Sequence, residues 1–331
     1  MTSRTQEMLA GRDDVIDYSA VIKKYPWLIQ KDQNCILSPD SDGLLCGLFT
    51  SHYLNWKVRG FYDGKILVLE KGVRPKDCVF LDMEIFRKGI RSVGQHMVMF
   101  NKNRLPGNWS NFDDCFSANN IRGYDAKHNF PQKYPLATIH ILLGVLGSIQ
   151  KIIIPTNAIC PLLYTDGTFK NLFNYPDNCL SWLNFLRADS SISPLHTIFF
   201  NDHYSIYSLM VTLSELFGEL RSITAGKRGG DKIKLSNGKG EMIHFDEKAL
   251  AIERDTVEQA EKFLRLLADK TGWKYISNNW AWNNLSPFYF KKGAIKPSQG
   301  RYDELMIKNP VSLAMTSSLG IEYTLDSNNI L

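Results

Sequence analysis

The chain has 331 residues, 44% hydrophobic and 12% aromatic, with 39 basic and 34 acidic residues and a net charge of +5. That apolar content excludes a largely disordered chain, and the length points to two unequal domains rather than one. The mild basic excess permits a nucleotide or nucleic-acid partner without requiring one. The longest apolar run, near Ile139 to Ile149, is too short to span a membrane.

Residues 1–33 read as a polar, helical lead-in, with Val15, Tyr18, Ile22 and Tyr25 at helical spacing up to Pro26. They lack the apolar stretch of a signal peptide. The core opens at Cys35-Ile36-Leu37, a short apolar run that reads as a buried strand. The turn Ser38-Pro39-Asp40-Ser41-Asp42-Gly43 comes next, then Leu44, Leu45, Leu48 and Phe49 at helical spacing. Strand, loop and helix place Asp40 and Asp42 at the carboxyl end of a strand, where open α/β sheets bind ligands. Two acids one residue apart in a tight loop repel each other, which points to a divalent cation.

Lys57 to Tyr62 and Ile66 to Glu70 read as a hairpin around Asp63-Gly64. Cys78-Val79-Phe80-Leu81 reads as a second buried strand, ending in Asp82-Met83-Glu84. A third strand, expected over Ser92 to Val98, carries His96. Residues 101–132, rich in Asn, Asp, Gly and Pro, read as a long loop of the kind that is usually functional or poorly ordered. An apolar helix is expected from Pro135 to Ile149, with proline in its first turn. Ile152 to Tyr164, apolar and partly β-branched, runs into Thr165-Asp166-Gly167-Thr168, one more apolar run ending in an acid.

Helices are then expected over Asn178 to Arg187, Tyr204 to Ile223 and Thr256 to Lys270. Between the last two, the basic, glycine-rich segment 225–232 offers Lys227 and Arg228 to a phosphate, or is a surface loop. The aromatic group Trp280, Trp282, Phe288, Tyr289 and Phe290 reads as packing, a contact surface or a base-stacking platform. The six cysteines contain no CxxC pair and several sit in apolar runs, which suits a reducing, cytoplasmic location without disulfides.

Apolar runs ending in Asp40/Asp42, Asp82 and Asp166 would converge on one edge of a parallel sheet. Joined by a histidine, these carboxylates make an oxygen-plus-imidazole site suited to Mn²⁺ or Mg²⁺. If the acids only capped strands, they would instead lie far apart.

The order Ser38-Pro39-Asp40-Ser41-Asp42-Gly43, Phe80-Leu81-Asp82, Gly94-Gln95-His96-Met97 and Leu163-Tyr164-Thr165-Asp166-Gly167-Thr168 resembles the DHH phosphoesterase superfamily. That group includes RecJ-like exonucleases, oligoribonucleases and family II inorganic pyrophosphatases. Lys133-Tyr134-Pro135-Leu136-Ala137-Thr138, opening a helix after a loop, also resembles the family's segment beyond the third motif. The resemblance covers residues 34–170, about two fifths of the chain.

It implies an α/β fold with a mainly parallel, doubly wound sheet bearing helices on both faces. The metal-binding domain would span 34–190, after a helical extension over 1–33 and before a smaller α+β substrate-binding domain over 191–331. It further implies one or two Mn²⁺ or Mg²⁺ ions held by Asp40, Asp42, Asp82, His96 and Asp166, with Asp82 shared between ions. Asp82 and His96 would stand nearest the chemistry, while Ser38, Lys227 and Arg228 are candidate phosphate contacts. Two positions depart from the pattern. Ile36 stands where the family often has histidine, and Asp-His-His is reduced to Gly94-Gln95-His96 or, one residue on, Gln95-His96-Met97. In the first register His96 faces substrate; in the second it binds metal. The expected function is metal-dependent hydrolysis of a phosphoester in a nucleotide or short nucleic acid. The alternative is a domain that binds a nucleotide, nucleic acid or protein partner without hydrolysis. A second copy of the chain is a further candidate partner.

Overall fold

The computed structural model describes residues 14–97, 99–200, 205–224 and 230–331. A seven-stranded sheet forms the centre. β1 (Asn34–Leu37) lies between β2 (Lys57–Tyr62) and β4 (Cys78–Leu81) and runs parallel to both, while β3 (Ile66–Glu70) folds back on β2 as a hairpin. β5 (Arg91–Gly94) and β6 (Cys115–Ser117) extend the parallel set beyond β4. After a two-residue pair, β7 (Phe245–Asp246) and β8 (Ala251–Ile252), comes β9 (Leu285–Tyr289), which pairs antiparallel with β3. The strand order is β6-β5-β4-β1-β2-β3-β9. A separate three-stranded sheet is built from β10 (Lys291–Ile295), β11 (Ser312–Ser317) and β12 (Gly320–Leu325).

Apolar alternation sends each strand's side chains to two different cores. Cys35, Leu37, Val79 and Leu81 face a helical layer contributed by Ser41–Leu54, Thr138–Gly147, Thr156–Tyr164 and Arg254–Thr271. In β2 the register slips, so that Cys35 pairs with Val58 but Ile36 with Gly60, leaving Arg59 as an extra residue. That bulge lets Val58 and Phe61 face the same layer despite their odd spacing.

Where the sequence reading expects helices on both faces, the second face is covered differently. Ile36, Leu67, Leu69, Cys78 and Phe80 pack against Ile85, Ile90, Phe290 and Val311. The reason is the short connection between β4 and β5, which carries no helix across that face. The helix Gln299–Ile307 packs farther out, on Phe86, Met97 and Phe112.

Three other expectations change. The run 152–164 forms the helix Thr156–Tyr164, with Pro161 inside it, rather than a strand. His96 lies just past β5 instead of within a strand, and the 101–132 loop contains the short strand β6. The aromatic tail is packed: Trp280 and Trp282 stack at 6.0 Å, and Trp282 stacks on Phe61 at 5.2 Å. All six cysteines are buried and unpaired. Among the described residues no helix is long and apolar enough to cross a membrane.

Candidate metal centre

Setting aside β3 and β9, the parallel strands run β6-β5-β4-β1-β2, so the chain turns one way from β1 to reach β2 and the other way to reach β4. Ligands of open α/β sheets bind outside the carboxyl ends of the strands at such a switch point. Asp40 lies just past β1 and Asp82 just past β4, placing both at that edge.

The β1 loop is tight. Ser38 N–H donates to the Leu81 carbonyl at 3.1 Å, and the Asp40 carboxylate caps the next helix by accepting Gly43 N–H at 3.2 Å. A Cβ on Gly43 would fall 2.0 Å from the Ser38 oxygen, so only glycine permits this turn.

Asp42, 0% exposed, points under the loop toward the helix Thr138–Gly147. Its Oδ2 accepts Thr138 N–H at 2.6 Å and its Oδ1 accepts Ile139 N–H at 3.0 Å. Both oxygens therefore serve a helix N-terminus, where unpaired amides and the helix dipole favour a carboxylate. Burial and the neighbouring Asp40 still push Asp42 above the usual carboxylate range.

Asp82 is 2% exposed and adopts a left-handed backbone, φ 63°. Its Oδ1 accepts the Thr138 hydroxyl at 2.7 Å, while its Oδ2 is buried without a partner. Burial, then Asp42, Asp40 and Asp166, raise its carboxyl well above the ordinary value. Asp166 arrives from a helix end, also in the left-handed region at φ 52°, and accepts a hydrogen bond from the Gln95 amide. Burial and Asp42 raise it to about 7, with His96 acting the other way.

His96 bridges these acids. Its Nδ1 stands 3.8 Å from Glu84 Oε2 and 4.0 Å from Asp82 Oδ1, and its Nε2 3.9 Å from Asp166 Oδ2. Burial would lower the imidazole, but Glu84, with Asp166 and Asp40, outweighs it and raises His96 to about 9. Donor atoms of Asp82, His96 and Asp166 all lie within 4.8 Å of one another.

Asp40, Asp82, His96 and Ser38 share a cleft of about 550 Å³, closed on its far side by β11, β12 and the 232–236 segment. That segment alternates: Ile233 and Leu235 are buried, while Lys232 and Lys234 are exposed along the cleft. Ile233 N–H donates to the Pro39 carbonyl at 2.7 Å, holding the segment against the acidic loop. Lys227 and Arg228 lie outside the described residues.

The sequence-based site set omits Glu84, Lys133, Lys232 and Lys234. Lys133 Nζ donates to the Met315 carbonyl at 3.0 Å; burial lowers its pKa, against the pull of Glu84 and Asp166. Glu84 has one visible signal in the sequence, its place two residues after Asp82. Ile36, at the position where the resemblance calls for histidine, packs with Phe80 in the second-face core.

No family model, no curated protein and no solved structure matches this chain.

The donors suit a divalent cation on chemical grounds. A buried carboxylate oxygen without a partner is costly unless a cation or proton joins it. Carboxylate oxygens with one imidazole are ligands that Mn²⁺ and Mg²⁺ accept.

Proposed function

We propose that this chain is a DHH-like phosphoesterase that hydrolyses a nucleotide or short nucleic acid with the help of Mn²⁺ or Mg²⁺. The observation that supports this reading most is the convergence of Asp82, His96 and Asp166 donor atoms within 4.8 Å at the switch point of the sheet. Asp82 and Asp166 would hold the ion through carboxylate oxygens and His96 through a ring nitrogen. A divalent ion bound there supplies Lewis-acid polarisation of a phosphoryl group and neutralises its charge.

The chain's own groups do the rest. Thr138 fixes Asp82 through its hydroxyl, and Gln95 fixes Asp166 through its amide. Lys232 and Lys234 face the cleft as cations that attract and orient a phosphate, with Ser38 on its floor. Asp42, with both oxygens given to backbone amides, and the apolar Ile36 leave donors for one ion rather than two.

Calorimetric titration of the chain with Mn²⁺, then hydrolysis of bis(p-nitrophenyl) phosphate, tests the reading. We expect one bound ion, Mn²⁺-stimulated release of nitrophenol, and loss of both in Asp82→Asn. A wild-type chain that binds no Mn²⁺ overturns the metal centre. Binding without turnover, on this ester and on short oligonucleotides, would favour the non-hydrolytic alternative.

A further inference from the structure

Glu84 is 2% exposed, with Oε1 accepting Met97 N–H at 2.9 Å. Its other oxygen faces His96 Nδ1 at 3.8 Å. The carboxyl group fills a volume that residue 94 has given up. A Cβ built on Gly94 would stand 2.8 Å from both Cδ and Oε2 of Glu84. The same Cβ would stand 3.0 Å from the Met83 carbonyl carbon, so the absence of a side chain at position 94 lets the Glu84 carboxylate sit against β5 beside the imidazole.

The opposite nitrogen, Nε2, looks toward Asp166 Oδ2 at 3.9 Å. The proton on one imidazole nitrogen is set by the acceptor it faces, and this frees the other nitrogen to bind metal. Asp82 Oδ1 is the poorer acceptor for Nδ1, at 4.0 Å and already receiving the Thr138 hydroxyl at 2.7 Å. Glu84 is the better one, because Met97 pins its carboxylate while Oε2 faces the ring.

We propose that Glu84 is the positioning residue of the centre. It accepts the Nδ1 proton of His96 and turns Nε2 toward the ion. This inference rests on the metal-centre reading above.

Two chains, each titrated with Mn²⁺ by calorimetry, test it: wild type and Glu84→Gln. Glu84→Gln keeps the acceptor for Met97 N–H and so keeps the fold, which circular dichroism checks. It should weaken Mn²⁺ binding by roughly 10–100-fold, the usual cost of removing the partner of a metal-bound histidine. In Mg²⁺-saturated protein, ¹⁵N NMR should show His96 protonated at Nδ1 in the wild type, with that signal displaced in Glu84→Gln. If the wild type binds Mn²⁺ and Glu84→Gln binds it equally with unchanged imidazole signals, the role of Glu84 is overturned and the metal centre stands. If the wild type binds none, the metal centre fails and the role of Glu84 with it.

Discussion

Thr138 gives its hydroxyl to Asp82 Oδ1 at 2.7 Å and its backbone N–H to Asp42 Oδ2 at 2.6 Å, so one residue ties two buried acids together. Thr138→Val keeps the shape and the backbone bond and removes only the hydroxyl. It leaves a buried carboxylate oxygen without a donor, which costs about 1–3 kcal/mol. Urea unfolding in EDTA should show that loss, and saturating Mn²⁺ should shrink it. Equal losses in both conditions would mean that Asp82 does not meet the ion.

Asp42 and Asp82 should separate cleanly by mutation. Asp42→Ala strips the acceptor from two amides at the start of the 138–147 helix, at a cost of about 1–2 kcal/mol, yet the folded protein should keep its Mn²⁺ affinity. Asp82→Asn should do the reverse. Asparagine tolerates the left-handed backbone at φ 63°, and the change removes a carboxyl group whose ionisation is opposed by burial and by three neighbouring acids. Its metal-free stability should hold or rise while Mn²⁺ binding is lost. Paired thermal melts and titrations decide, and Mn²⁺ loss in Asp42→Ala would return that residue to the ligand set.

The stability of the metal-free protein should fall as pH rises. Asp166 is raised to about 7, so its contribution is full below the unfolded carboxyl value of about 4 and is lost as pH climbs through 7. His96, raised to about 9, contributes fully below about 6.5 and loses that contribution as pH climbs toward 9. Bound Mn²⁺ replaces those protons, so the gain in melting temperature from Mn²⁺ should grow between pH 6 and 8. A gain independent of pH would argue that the ion binds elsewhere.

His140 should titrate the other way. Fully buried, it accepts Ala137 N–H on Nδ1 at 3.1 Å, and burial lowers it to about 4. A depressed imidazole keeps its full contribution above about 6.5 and loses it as pH falls toward 4, up to about 3 kcal/mol. Between pH 7 and 4 the stability advantage of wild type over His140→Gln should shrink by that amount. An unchanged gap would mean that His140 stays solvated.

Much of the sheet is legible in the sequence because β1, β3 and β4 are largely apolar runs punctuated by turn residues, while β2, which carries Lys57, Arg59 and Gly60, is marked by the Asp63-Gly64 turn that follows it. β6 is not, since three residues carry no period, and β9 only becomes a strand by meeting β3. The 156–164 helix reads as a strand because a short apolar run has no decisive periodicity, and its lead-in is β-branched. Asp166 nonetheless reaches the cluster, because a left-handed turn after that helix directs it there. Spacing singles out Asp82, His96 and Asp166, whose donor atoms do gather, together with Asp40, which caps a helix beside them. It cannot show that Asp42 turns toward a helix end, that Glu84 folds back on His96, or that Lys133 and Lys234 approach from distant segments.

The pairing of β3 with β9 has a consequence for how the chain is made. Residues 66–70 emerge in synthesis long before their partner, 285–289. Until then β3 offers an open row of amides and carbonyls beside an apolar strand, the kind of edge that recruits other chains. Folding that waits on so distant a partner is slow. Chains truncated before residue 285 should accumulate as β-rich aggregates, and a short peptide matching 285–289 should compete for that edge.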